Sequence, residues 1–184
     1  MKLIFILFLF LNSCQFFPFL QLKDNYYSNI INNKLHTKNV YNAFNNIYTI
    51  KSLFLNQEKI QKALKARLKT SGSSSTTNTK QLLLTKDYVI FFVSLYTSRF
   101  SYKDLRNRKI WNLVLTTNNK TYSPRILASP FIHEQGHFLF PFHNSFSKGF
   151  FVKFDIHPSK INKFSKLTFY SFLGNKTITK FTNN

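Results

Sequence analysis

Short apolar segments with the two-residue alternation of β-strands fill most of the chain after residue 80. In the segment GFFVKFDI, Phe150, Val152 and Phe154 alternate with Lys153 and Asp155. Alternation of this kind is typical of strands that bury one face. The predicted strand segments are residues 47–55, 87–97, 110–116, 121–127, 149–156, 166–173 and 176–181.

Two turn sequences join neighbouring segments into predicted hairpins. The sequence TNNK at residues 117–120 follows one strand segment, and Gly174 with Asn175 follows another. Asparagine and glycine adopt the left-handed backbone that tight hairpin turns need. A series of about five to seven short antiparallel strands predicts a mostly β fold, built as an antiparallel β-sandwich with aromatic side chains between the sheets.

One short amphipathic helix is inserted after the first predicted strand. Ile60, Leu64 and Leu68 recur four residues apart, as they do along one face of a helix. Asn56 is predicted to cap its N-terminus, and Glu58 lies in its first turn. We expect the apolar face to cover the edge of the core; a surface for an anionic membrane or a partner is the alternative.

The second half of the chain resembles the immunoglobulin-like sandwich modules of exported bacterial proteins. The likeness consists of a strand that contains Trp111, a turn, a Tyr-x-Pro strand at Tyr122 to Pro124, and paired aromatic strands that end at Phe181. This resemblance implies an Ig-like β-sandwich. It implies no activity.

The N-terminus has the pattern of an export signal. Lys2 precedes nine apolar residues, 3–11, which as a helix span roughly half of the ~30 Å hydrocarbon core of a bilayer. Residues 11–14 (LNSC) follow, and Cys14 is the only cysteine. This segment resembles the lipobox of bacterial lipoproteins, which implies that Cys14 is acylated and becomes the mature N-terminus. An ordinary cleaved signal peptide is the alternative.

These features divide the chain into three parts. We expect residues 1–13 to be a signal peptide, residues 14–37 a lipidated tether without regular structure, and residues 38–184 a β-sandwich domain. A Ser- and Thr-rich run at residues 70–80 is predicted to be a flexible loop within that domain. With a single cysteine, the chain cannot form an intramolecular disulfide, so its stability must come from its apolar core.

The lipobox resemblance also implies a location and a first partner. We expect the protein in the bacterial cell envelope, attached to a membrane through its N-terminal acyl chains. Gln15, rather than aspartate, follows Cys14. By the sorting rule of enterobacterial lipoproteins, this residue implies the outer membrane.

The charge of the chain is strongly positive. It has 26 Lys and Arg but 6 Asp and Glu, a formal net charge of +20 and a pI of about 10.2. Residues 99–109 combine five basic residues with Phe100 and Tyr102. Export favours anionic lipid, lipopolysaccharide or an envelope protein as partner, and nucleic acid is not expected. Alternatively the charge reflects A/T-rich codons, which encode Lys, Asn, Ile and Phe.

Residues 133–137 (HEQGH) match the HExxH motif of zinc peptidases. On a helix, His133 and His137 would lie one turn apart and could bind Zn²⁺, with Glu134 as general base. His143 lies at the spacing of a third ligand in the metzincin pattern.

Other features of this segment argue against that enzyme. Phe140 replaces the glycine of the metzincin pattern, Met1 is the only methionine, and Pro130 and Pro141 limit any helix to about eleven residues. We therefore predict a loop histidine pair without metal, followed by an apolar run that enters a strand. No other catalytic motif is present, so the sequence assigns no catalytic residue and no cofactor. It favours a protein without enzyme activity and leaves the zinc peptidase as the one enzyme alternative.

The sequence thus predicts a lipid-anchored envelope protein with a structural or interaction role, which contacts anionic envelope surfaces. The alternative is a small exported zinc metallopeptidase centred on His133, Glu134, His137 and His143.

Overall fold

The computed structural model describes residues 17–70, 81–131, 133–173 and 177–180. In these residues nine strands form one five-stranded and one four-stranded sheet. The strands are β1 (Leu35–Asn42), β2 (Asn45–Phe54), β3 (Val89–Thr97), β4 (Trp111–Thr117), β5 (Lys120–Tyr122), β6 (Arg125–Ala128), β7 (Lys148–Phe154), β8 (Lys166–Ser171) and β9 (Thr177–Lys180). The helices are α1 (Phe17–Asn32), α2 (Glu58–Thr70) and α3 (His133–Leu139).

All pairings among the nine described strands are antiparallel. The order is β1-β2-β3-β7-β6 in the larger sheet and β5-β4-β8-β9 in the smaller one. The predicted mostly β fold with two packed sheets is confirmed. The Ig-like resemblance stays a prediction.

The main core lies between the two sheets. Trp111 of β4 packs edge-on against Tyr48 of β2, with ring centroids 5.0 Å apart. The indole Nε1 donates to the carbonyl oxygen of Tyr102 at 2.9 Å, so the large side chain is buried without an orphaned donor. Other buried members of this core include Ile50, Phe91, Val93, Leu115, Phe150, Val152, Leu167 and Phe169.

Helices cover much of the other face of the larger sheet, which makes a third layer. A second core lies between this face and the helices. Residues of β3 alternate between the two cores: Phe91 points to the smaller sheet, and Phe92 points to the helices. Such a strand is apolar on both faces, which explains the unbroken run VIFFV. The prediction of one inserted helix is therefore incomplete, because α1 and α3 are present in addition to α2.

Helix α2 has the predicted apolar face, since Ile60, Leu64 and Leu68 are all buried. Its start differs from the prediction, because Asn56 bonds elsewhere. The Asn56 side chain accepts from the backbone N–H of Ile90 at 2.7 Å and donates to the carbonyl oxygen of Tyr88 at 3.0 Å. Asn56 thus ties the end of β2 to the start of β3.

Helix α1 occupies residues where a tether without regular structure is predicted. Its Tyr27 and Ile31 are buried in the second core. The Tyr27 hydroxyl donates to the carbonyl oxygen of Leu139, and Arg67 lies 5.0 Å from the Tyr27 ring centroid. The folded unit therefore begins before residue 38. The sequence pattern does not predict this helix, because its Asn residues lower the helical propensity and interrupt the apolar periodicity.

The segment predicted as one strand at residues 121–127 is two strands in different sheets. Ser123 and Pro124 separate β5 from β6, and proline cannot supply an N–H to continue a ladder. The predicted turn at residues 117–120 is confirmed, with positive φ at Asn118 and Asn119. The second predicted turn, at Gly174 and Asn175, and residues 71–80 of the predicted loop lie outside the described residues.

Candidate functional site

The HEQGH segment forms the short helix α3, His133–Leu139. The expected loop with a following strand is wrong here: Phe138 and Leu139 belong to the helix, and the buried Phe140 and Phe142 follow it. These aromatic rings pack on Phe92, which stacks face to face on Phe140 at 3.7 Å between centroids. The apolar run was mistaken for a strand because a short apolar run has no decisive period.

His143 is held in a buried polar cluster beside α3. Its Nδ1 lies 3.0 Å from the hydroxyl of Ser94 and 2.9 Å from that of Ser147. The Ser94 hydroxyl also donates to the Ser147 hydroxyl at 2.9 Å. These contacts fix the loop after α3 against strand β3.

Helix α3 places His133 and His137 one turn apart along the backbone. The Nδ1 of His137 lies 2.9 Å from the carbonyl oxygen of His143, a bond that fixes the orientation of an imidazole. Among the described residues, no three His, Cys, Asp or Glu side chains form a group that could hold a metal. The side chains of His133 and Glu134 lie outside the description, so the zinc hypothesis stays a prediction.

Next to the His143 cluster, the helix-facing side of the larger sheet opens into a polar cleft of about 570 Å³. Its floor consists of two cross-strand pairs, Lys51 with Ser94 and Thr49 with Tyr96. The helices pack on the same face of β2 and β3 farther along the strands, at Leu53 and Phe92. The cleft is the part of this face where the side chains change from apolar to polar.

The loop after α3 forms one wall of the cleft through Phe142, Asn144, Phe146 and Ser147. Asn144 fixes this loop, because its Oδ1 accepts from the backbone N–H groups of Phe146 and Ser147, both at 3.1 Å. Strand β1 lines the cleft at Asn39 and Tyr41, and the start of β2 lines it at Asn46. The walls are therefore held by hydrogen bonds within the protein.

A second candidate surface lies at the end of the sandwich that includes the β1–β2 turn. Phe44, Phe100 and Phe172 are 99%, 87% and 65% exposed. Their loops lie together, because the ring of Phe172 packs on Tyr102 with centroids 5.7 Å apart. One cavity is lined by Asn42 and Asn45, which flank the β1–β2 turn, and by Ser98, Arg99, Tyr102 and Leu173. We call this surface the aromatic end and define it by Phe44, Phe100 and Phe172.

Basic residues lie beside Phe100 of the aromatic end. Arg99 and Lys103 flank Phe100, and the Lys103 ammonium lies 5.9 Å from the Phe100 ring centroid. Arg106 is neutralised by the nearby carboxylate of Asp104, at 2.8 Å. The hydrogen bonds from Arg106 lower the pKa of Asp104 to about 2, so this carboxyl is ionised at neutral pH. Residues 99–109 keep a net positive charge, because Asp104 is their single acid.

Part of these surfaces is predictable from the sequence, namely His143 and the basic segment with Phe100. The sequence does not connect Phe44 or Phe172 with that segment, and it does not indicate the role of Lys51 and Ser94. A signal is present, because Lys51 and Ser94 are polar residues on the strand faces that bury Leu53 and Phe92 two residues away.

Comparisons with protein-family models, curated proteins and solved structures give no match for the chain. No helix in the described ranges has the length and apolar character needed to cross a membrane. Cys14, the predicted lipidation site, lies outside the described residues.

Proposed function

We propose that the protein is a lipid-anchored protein of the bacterial cell envelope that acts as an interaction module and contacts anionic lipid headgroups through its aromatic end. The anchor is the acylated Cys14 implied by the lipobox resemblance. The observation that carries the contact is the grouping of three exposed phenylalanines with flanking arginine and lysine on the loops of one end of the sandwich.

Exposed aromatic rings on loop tips suit the boundary between headgroups and acyl chains. Burial of a phenylalanine side chain in an apolar medium contributes about 1.5–3 kcal/mol. The neighbouring Arg99 and Lys103 add attraction to anionic headgroups, about 1 kcal/mol for each basic residue near the surface. Neither term alone anchors a protein firmly. Together with acyl chains at Cys14, they would orient the domain on the bilayer.

The contact is tested with a chain that begins at residue 15, which keeps every described residue and lacks the acylation site. We expect it to float with vesicles of phosphatidylglycerol and phosphatidylcholine, and to float much less with phosphatidylcholine alone. Binding should weaken between about 50 mM and about 500 mM salt, because salt screens exposed charges.

The matched variants separate the aromatic end from the general basicity of the chain. The triple change Phe44→Ser, Phe100→Ser and Phe172→Ser should reduce vesicle affinity by at least about tenfold. Phe164→Ser, which removes another exposed phenylalanine at the opposite end of β8, should leave the affinity unchanged. Equal binding by the triple variant and the unchanged chain would show that the aromatic end is not the contact.

A further inference from the structure

The polar cleft beside His143 has the dimensions and the fixed geometry of a small-molecule site. Its volume of about 570 Å³ lies within the range of ligand pockets, about 300–1,000 Å³. Ser94 and Ser147 line it, and the hydroxyls of both lie within hydrogen-bond distance of the buried His143 Nδ1. Polar groups held in place before a ligand arrives lose little conformational entropy on binding.

The described residues that line the cleft include one cation and no acid. Lys51 reaches it from β2, and its ammonium donates to the carbonyl oxygen of Phe142 at 3.4 Å. No carboxylate of the described residues pairs with Lys51, and none lines the cleft. The lysine charge is thus available to a ligand that carries a negative group.

The remaining lining consists of hydroxyl, amide and aromatic groups. Thr49 and Asn39 are already joined, because the threonine hydroxyl donates to the asparagine Oδ1 at 2.8 Å. The Nδ2 of Asn46 donates to the same threonine hydroxyl at 2.9 Å, so these three polar side chains hold one another in place. Tyr41 and Phe146 are exposed aromatic residues of the lining.

We propose that this cleft binds a monosaccharide-sized, hydroxylated molecule that carries one carboxylate or phosphate group. Lys51 binds the anionic group, the amides and hydroxyls bind the ligand hydroxyls, and an aromatic face packs on the ring carbons. The site is independent of the proposed lipid contact, because it uses none of the three phenylalanines of the aromatic end.

Calorimetric titration of the full chain in detergent tests the site with four probes: glucuronate, glucose 6-phosphate, glucose and inorganic phosphate. We expect at least one of the two anionic sugars to bind at least about tenfold more tightly than glucose and than inorganic phosphate, since it engages both Lys51 and the hydroxyl-binding groups. The preferred sugar identifies the anionic group as carboxylate or phosphate.

Two variants and one control assign the binding to the cleft. Lys51→Gln should lower the affinity for the preferred anionic sugar by at least about tenfold, so that this sugar no longer binds more tightly than glucose. Asn39→Ala, at an exposed position, should lower the affinities for glucose and for the anionic sugar by similar factors. Lys69→Gln, an exposed lysine of α2 outside the cleft, should change neither affinity.

Several results would overturn the proposal. One is the absence of binding by both anionic sugars. Another is inorganic phosphate bound as tightly as the better sugar, which would mean an anion site without hydroxyl recognition. Unchanged affinity in a folded Lys51→Gln chain would place the ligand elsewhere. If Lys51→Gln fails to fold, unchanged affinities in Asn39→Ala contradict the site by themselves.

Discussion

Gly149 shows how one position sets the packing of the second core. A Cβ built at Gly149 would lie 2.9 Å from Cζ of Phe92 and 3.2 Å from Cβ of Ser129. Phe92 has little room to move, because it is fully buried and packs on Phe140, Phe142 and Phe151. Glycine is therefore required here by the close approach of a buried ring.

We expect Gly149→Ala to lower the free energy of unfolding by about 1–3 kcal/mol, because it overpacks the core. Urea unfolding followed by circular dichroism measures the change. The same substitution in a Phe92→Leu background should cost less, since the smaller side chain leaves space. An equal cost in both backgrounds would show that the aromatic ring is not what excludes the methyl group.

Sequence reasoning at this scale succeeded where a residue type has one physical use. Asn118 and Asn119 predicted a tight turn, because asparagine tolerates positive φ, and both residues have it. The predicted helix cap at Asn56 was wrong, because an asparagine amide can cap a helix or bridge two segments equally well. Asn56 bridges two segments because the fold brings the backbone N–H of Ile90 within hydrogen-bond distance of its side chain.

At the scale of elements, α1 is the largest departure from expectation. A tether would leave Tyr27 and Ile31 exposed, whereas the structure buries both against α3 and its surroundings. Burial raises the pKa of the Tyr27 hydroxyl, so this group remains a hydrogen-bond donor over the physiological range. If Cys14 is acylated, the helix begins soon after the anchor, and the domain lies close to the bilayer.

Ile31→Ala tests whether α1 is part of the folded unit. We expect it to lower the free energy of unfolding by about 2–5 kcal/mol, because it removes fully buried methyl groups. Asn29→Ala, at an exposed position of the same helix, should change stability by less than about 0.5 kcal/mol. Equal denaturant midpoints for Ile31→Ala and the unchanged chain would mean that α1 does not contribute to the core.

Strand prediction succeeded wherever alternation or length was distinctive, as in β3 and β7. It failed for β1, whose residues are mostly polar and exposed and which pairs only with β2 at the edge of the sheet. Backbone hydrogen bonds hold such an edge strand without an apolar pattern. For α3 the sequence supplied the HExxH spacing of a helix, but its short apolar run fitted a strand as well.

At the scale of the whole molecule, the third layer of helices was not predictable from local pattern. A strand that is apolar on both faces signals that both faces are covered, but it does not say by what. The cleft arises from that layering: the helices end before the polar part of β2 and β3, and the loop after α3 closes the space. Its residues come from four separate segments, which no local motif connects.

Some of the basic residues of the chain lie at the two proposed binding surfaces. Arg99 and Lys103 lie beside the exposed Phe100, whereas Lys51 lies within the cleft. The same net charge thus has two proposed uses, one for a lipid surface and one for a small anion. A/T-rich codons explain an excess of lysine, but they do not explain why Phe44, Phe100 and Phe172 lie on loops at one end of the sandwich.

The most direct test of the proposed anchoring is intact-mass analysis of the full chain expressed in a bacterium that processes lipoproteins. We predict a mature chain that begins at Cys14 and carries the added mass of acyl chains, found in the membrane fraction. Cys14→Ser should lack that added mass. A chain that is cleaved elsewhere, or that begins at an unmodified Cys14, would contradict the proposal of a lipid-anchored protein.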